Sequence, residues 1–318
     1  MDCNNLNMEM KRSVILVCFL VVRTVVFSQI FWADSLVYAS CNWSIGDNFE
    51  YRIDRETFQV LVNGDTVATQ VDSYNLEMEV LSIEDEGLTI KFDYQSLERN
   101  NIYYSLDFPS LKAMLAGQVS IIAEIRQAGS EVYVENWREI QDYVKTSYDS
   151  LDFSLHVSET EKARMLDSLT SYNSITNFIF PEINQLFAFH GYQYKDRKLY
   201  GERIKVENLY PNDTTIRGNF FKRVKYLNPI DDSFFIEYTL IIDPDILKNK
   251  IISQLSKEEE EVLFYDKVFS STSFSGNIYC VSEIDDRGVL LASILVKKIE
   301  VGDGVFKEGY RISLLDQG

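Results

Sequence analysis

The sequence predicts an α+β protein in which an antiparallel sheet, curled as a half-barrel or open barrel, carries a helical insertion packed on its concave face. Three observations predict it. Apolar and polar residues alternate with a period of two over most of the chain after Ser28, the mark of strands with one buried face. Helical spacing replaces that alternation in one block, about residues 136–191. Nineteen Tyr and 20 Phe, against only 5 Pro, favour pleated, half-buried surfaces over a linker-rich chain. With 46% hydrophobic residues the chain has enough apolar material to bury a sizeable core.

The first segment is set apart from the fold. Lys11 and Arg12 precede an apolar run from Ser13 to Val22, then Val25 to Phe27 and the small residue Ser28. A basic start, a short apolar middle and a small residue at the end are the three regions of an export signal, assigned here to residues 1–28 with Met1 or Met10 as the start. Arg23 interrupts the run and leaves about ten consecutive apolar residues, where a membrane span needs roughly 20. No stable membrane span is therefore expected after cleavage, and residues 29–318 are read as a single β-rich domain that is periplasmic or secreted. Tyr38, Ala39, Ser40 and Cys41 have the outline of a lipid-attachment site, but Tyr38 stands where an aliphatic residue belongs and Asp34 charges the apolar stretch before it.

Cys3 and Cys18 leave with the leader, so Cys41 and Cys280 remain. In an oxidising compartment they are a disulfide candidate, and closing so long a loop is worth about 4 to 5 kcal/mol in the chain-entropy account. Two separate buried thiols are the other reading.

The elements follow in order. Trp43 and the pair Gly46–Asp47 stand before the first strands, where a ring can close one end of a sheet and Gly-Asp can turn the chain. Phe49 to Ile53, Thr57 to Val62, Tyr74 to Ile83 and Leu88 to Tyr94 alternate as strands, with turns at Asn63–Asp65 and Glu86–Gly87. A further strand is placed from Gln118 and another over Glu131 to Glu135, joined through Gln127–Gly129. Trp137, Ile140, Tyr143, Val144 and Tyr148 then fall on one face of a helix. Ser158 and Glu161 form a capping box for a second helix, and Pro181 opens a third that ends at His190–Gly191. Thr214 to Tyr226, Phe234 to Ile242, Ser273 to Ile284, Val289 to Ile299 and Val305 to Leu314 read as strands, broken by one helix capped at Asp243 or Asp245. Asp285–Gly288 and Gly302–Gly304 are hairpin turns.

Charge and motif content narrow the function. Forty-nine Asp and Glu against 31 Lys and Arg give a net charge of −18, which excludes nucleic acid as a partner. No glycine-flanked serine elbow and no phosphate-cradling glycine loop occurs. The two histidines, His156 and His190, and two distant cysteines do not make a zinc signature. The acidic pairs Asp231–Asp232, Asp243–Asp245 and Asp285–Asp286 fit turns and caps. No catalytic residue, metal site or cofactor is assigned on these grounds. The distinctive feature is aromatic: Phe178, Phe180, Phe187 and Phe189, with Tyr192 and Tyr194, crowd about Pro181. Such rings either fill a core or line a cavity for an apolar ligand.

The order of leader, Trp43 with Gly46–Asp47, strand meander, helical block and closing hairpins such as Tyr279 to Ile299 resembles uncharacterised exported β-rich proteins of Gram-negative bacteria. More distantly it is similar to the half-barrel of periplasmic lipoprotein carriers. That likeness implies a binding module for an apolar or lipid-like ligand, with Phe178, Phe180, Phe187 and Phe189 as candidate lining residues. The alternative is an envelope structural or protein-interaction domain with an envelope protein as partner.

Overall fold

The computed structural model describes residues 30–31, 36–60, 65–84, 87–99, 115–126, 132–149, 181–206, 216–255 and 269–317, with isolated positions at 160–175 and at 267. The chain runs β1 (Ile30–Phe31), β2 (Leu36–Ala39), β3 (Asn48–Val60), β4 (Thr66–Glu84), β5 (Gly87–Arg99), β6 (Ile121–Arg126) and β7 (Val132–Val134). Helices α1 (Trp137–Asp149) and α2 (Pro181–Phe187) follow, then β8 (Tyr192–Lys195), β9 (Tyr200–Val206), β10 (Ile216–Asn228) and β11 (Ser233–Ile242). Helix α3 (Pro244–Leu255) precedes β12 (Phe274–Asp285), β13 (Leu290–Val301) and β14 (Gly304–Gln317). The signal segment, the Ser158–Glu161 cap, His156, Phe178 and Phe180 lie outside the described residues.

Eleven strands form one antiparallel sheet in the order β7-β6-β5-β4-β3-β14-β13-β12-β11-β10-β9. It consists of two meanders that meet at its centre. β3 to β7 step outward to one edge, β9 to β14 step inward from the other, and β3 pairs with β14 from Phe49↔Gln317 to Val60↔Val305. β7 and β9 are its edges, so the described sheet does not close into a barrel. A second sheet, β1-β2-β8, ties the segment before β3 to the segment after α2.

Turn chemistry explains the connections. Asp285 Oδ1 accepts from the amides of Arg287 (2.9 Å) and Val289 (2.8 Å), and Gly288 takes φ +81°, a value that favours glycine. Asp47 Oδ2 accepts from the Ser44 amide at 2.8 Å before β3 begins. Asp243 caps α3, its Oδ1 accepting from the amides of Asp245 (3.0 Å) and Ile246 (3.4 Å).

Two expectations are corrected. Phe49–Ile53 and Thr57–Val62 are not two strands: β3 runs unbroken through Asp54, Arg55 and Glu56, because these charged residues have partners across the sheet. The strand expected from Gln118 starts at Ile121, since Leu115 to Gly117 fold back, with the Gly117 amide donating to Tyr94 O at 3.0 Å. Cys41 and Cys280 are both free thiols, set in different surroundings: Cys280 Sγ lies 3.6 Å from Ser293 Oγ and 3.7 Å from Ser282 Oγ, whereas Cys41 follows β2.

One face of the large sheet carries the core, in two patches. On β11 the even positions share that face; Phe234 and Ile236 belong to the main cluster, Leu240 and Ile242 to a smaller one under α3. Gly276, opposite Ile242, lets α3 sit close: a Cβ there would stand 2.9 Å from Ile242 Cδ1 and 3.1 Å from Leu247 Cδ2. Ile140 and Val144 of α1 and Ile183, Leu186 and Phe187 of α2 belong to the main cluster.

Between the patches runs a charged belt. Lys297 stands opposite Glu308, Tyr310 opposite Arg55, and Arg55 opposite Asp72, so the belt crosses β13, β14, β3 and β4 on the core face. Arg55 reaches Glu308 at 2.6 Å and Asp72 at 3.7 Å, and Tyr310 Oη donates to Glu308 at 3.0 Å. Burial alone would raise the Glu308 carboxyl pKa; Arg55, Lys297 and the Tyr310 hydroxyl outweigh it and hold the group below its usual range. Among the described residues no helix is long and apolar enough to cross a membrane.

Candidate functional site

A pocket of about 220 Å³ lies where the small sheet meets one end of the large one. Ile83 of β4, Leu88 of β5 and Ile125 of β6 form its apolar side, with Arg126 beside them. Tyr38, Ser40, Cys41 and Asn42 approach from β2 and the segment after it, and His190–Gly191 from the end of α2. Backbone bonds fix these approaches. The Gly191 amide donates to Ala39 O at 2.6 Å, Ala39 pairs with Tyr192, and the Asn42 amide donates to Arg287 O at 3.0 Å. Gly191 has φ +82°, which lets the chain leave α2 and enter β8 without strain.

His190 is 4% exposed and its ring sits among Trp43 (centroids 6.2 Å) and Phe187 (5.5 Å). Nε2 lies 2.8 Å from Gly288 O, and a carbonyl only accepts, so Nε2 carries the ring proton. Nδ1 is then the lone-pair nitrogen, buried and without a hydrogen-bond partner among the described residues. Burial pulls the imidazole pKa down, against the opposing pull of the Gly288 and Phe187 backbone and the Asp285 charge, and keeps the ring neutral. Burial likewise pushes the Cys41 thiol well up. A nucleophilic cysteine needs the reverse, a lowered thiol pKa next to a histidine cation, so this thiol and imidazole are not set for catalysis. Among the described residues no three His, Cys, Asp or Glu side chains gather to hold a metal.

Phe187 and Phe189 are core side chains, 2% and 1% exposed. Phe187 meets Trp43 and Phe92 edge-on, Phe189 packs on Tyr238, and neither lines this pocket. Beside them α2 sends polar groups into the core. Tyr94 Oη donates to the fully buried Glu182, and Gln185 Nε2 donates to Ser293 Oγ at 2.6 Å. These contacts satisfy buried polar atoms and hold α2 on the sheet. The sequence singled out Cys41 as a disulfide partner, Tyr38 to Cys41 as the outline of a lipid-attachment site and His190 as a helix end, and gave no site role to Ile83, Leu88 and Ile125; β2–β8 pairing brings them together, and no local pattern announces that.

No family model and no curated protein matches the chain. Among solved structures it is similar to lipovitellin, at a TM-score of 0.41 and 9% identity over 86% of this chain; the match spans only 26% of the lipovitellin chain. It is also similar to a putative exported protein with YMCC-like fold from Bacteroides fragilis, at a TM-score of 0.24 and 7% identity, covering 88% of this chain and 99% of that one. A porin-like protein from Bacteroides uniformis follows at 0.16 and 10%, covering 83% and 97%.

Proposed function

We propose that this chain is an exported, periplasmic or secreted binding protein that holds a small, largely apolar ligand in the pocket between β2 and the ends of β4 to β6. One observation carries the proposal: Ile83, Leu88 and Ile125 form an apolar wall in a cavity of about 220 Å³ that also presents polar groups on one side, the composition of a small-molecule site. The export part rests on the leader, with residues 29–318 as the mature protein. A curl of the large sheet into a half-barrel, with the helical block about 136–191 on its inner face, completes the proposed architecture. Native mass spectrometry of protein purified from the periplasm tests the proposal. A copurifying small ligand, lost on substitution of Leu88 by Trp, is the expected result; an apo mass that no apolar probe changes sinks it.

The alternative, an envelope interaction domain, draws on Tyr226, Ile241 and Ile294, exposed by 50%, 46% and 43% on the sheet face opposite the core. Cross-linking in cells through these positions distinguishes the two: a specific protein adduct favours interaction, its absence favours the pocket.

A further inference from the structure

We propose that His190 is an acid-released latch on the pocket wall: the neutral ring receives the Trp43 indole N–H at Nδ1 while it donates Nε2–H to Gly288 O, and protonation breaks the Trp43 link and frees the wall at His190–Gly191. The inference rests on the pocket reading and adds its regulation, a ligand released more readily in acid.

Complementarity carries the link. Trp43 Nε1 and His190 Nδ1 are both buried, and both lack a hydrogen-bond partner among the described residues. The first is a donor only; the second, with the ring proton on Nε2, is an acceptor only. Their rings meet edge-on with centroids 6.2 Å apart, a separation that two ring radii and one hydrogen bond of about 3 Å fill. A slight turn of either ring satisfies two unmet atoms at once.

Position makes the link a latch. His190 Nε2 meets Gly288 O at 2.8 Å, the Asn42 amide meets Arg287 O at 3.0 Å and the Gly191 amide meets Ala39 O at 2.6 Å, and Asn42, His190 and Gly191 all line the pocket. A protonated imidazole donates from both nitrogens, so its Nδ1–H would face the indole N–H, donor against donor, with a charge buried between them. Relief comes when the end of α2 swings out to water and carries Gly191 off Ala39 O.

The turn beside the ring carries Asp285, Asp286 and Arg287. The other elements around it bring Tyr38, Cys41, Arg126 and, near Asp285 and Cys41, Tyr51; on α2 itself Glu182 is held by Tyr94. Burial disfavours the charged ring, and the Gly288 and Phe187 backbone with Asp285 do not overcome it. Asp286 is the titration to be told apart, since burial, Asp285 and Asp232 raise its carboxyl pKa.

NMR of the nitrogen-labelled mature protein tests the latch. At neutral pH a scalar coupling should join Trp43 Nε1 to His190 Nδ1 through their hydrogen bond. A proton taken up only by the open wall shifts the opening equilibrium by up to about tenfold between pH 7.5 and 5.5, so the Gly191 and Asn42 amides should lose severalfold hydrogen-exchange protection, corrected for intrinsic rates, over that range. Their exchange should be insensitive to low urea, as a local opening is, whereas amides of β3 and β14 exchange through an unfolding that urea promotes. His190→Gln, an amide with one donor and one acceptor that does not titrate, should hold protection constant, and Asp286→Asn should keep the wild-type response. Saturating toluene should raise protection of the same two amides, because a ligand in the closed pocket holds the wall shut. An absent coupling, exchange of Gly191 and Asn42 that follows global unfolding, a pH response that survives in His190→Gln, or bound toluene that protects neither amide overturns the latch. If toluene does not bind at all, the pocket reading falls, and the coupling and exchange still judge the Trp43–His190 link.

Discussion

At the scale of single residues, His190 links the pocket to stability. Its pKa in the folded chain lies below the ordinary value, chiefly through burial, with Gly288 O, the Phe187 backbone and Asp285 pulling the other way. The unfolded chain therefore binds a proton near pH 6.5 that the folded chain refuses, and stability present above that pH is lost as the pH falls. Urea midpoints measured from pH 7.5 to 5.5 should decline for the wild type and stay flatter for His190→Phe. The carboxylates held below their usual range, Glu308 and Glu237, act in a separate window, where their stabilisation disappears only as the pH drops below about 4.5. The cysteines give a second residue-level outcome. Burial raises the Cys280 thiol to about 11, so a disulfide-forming reagent should label Cys280 slowly in the native protein and both cysteines once it is unfolded. A mature chain with no titratable thiol in denaturant would restore the disulfide.

Elements are set by cross-strand partners as much as by local pattern, and the charged belt shows why. Arg55 and Glu308 keep 16% and 14% of their side-chain surface, lie 253 residues apart in sequence, and join the two meanders at their contact. Glu308→Ala leaves Arg55 and Lys297 without their shared carboxylate in a largely desolvated place, and should cost roughly 3 kcal/mol in urea unfolding at pH 7, the low end for a broken buried pair. A loss under about 0.5 kcal/mol would assign the belt to the surface class of ion pairs. The same belt marks where the fold was legible in sequence. Alternation and turn residues located β4 to β7 and β10 to β14, a cap at Asp243 or Asp245 and the Asp285–Gly288 turn, because those signals are local; β8 and β9 were not located. The triplet Asp54-Arg55-Glu56 broke the alternation and split β3 in two, because the partner that makes Arg55 a core-face residue comes from β14. The pocket was hidden for the same reason: Cys41, Ile125 and His190 belong to three segments, and only the pairing of β2 with β8 and the amide of Asn42 on Arg287 O bring them to one wall.

On the scale of the whole molecule, the order of the large sheet dictates how it assembles. β3, the first of its strands, and β14, the last, are neighbours at its centre, while β7 and β9, from the middle of the chain, are its edges. Each meander can form from local hairpins, but their union waits for the last strand, and contacts of such long sequence separation slow folding. Ending the mature chain at Val301 removes β14 and with it the partner of β13 and of β3 together, leaving two open edges and the apolar side chains of Ile312 and Tyr310 missing from the core face. Such a truncation should lose its cooperative thermal transition and near-ultraviolet signal and become protease-sensitive throughout. Removing the edge strand β7, by contrast, takes away only the three residues that pair with β6, so that variant should keep a cooperative transition at a lower midpoint. If instead the two truncations behaved alike, the sheet's centre would lie elsewhere than at β3–β14, and the belt, the core division and the approach of β2 to the pocket would all need a different frame.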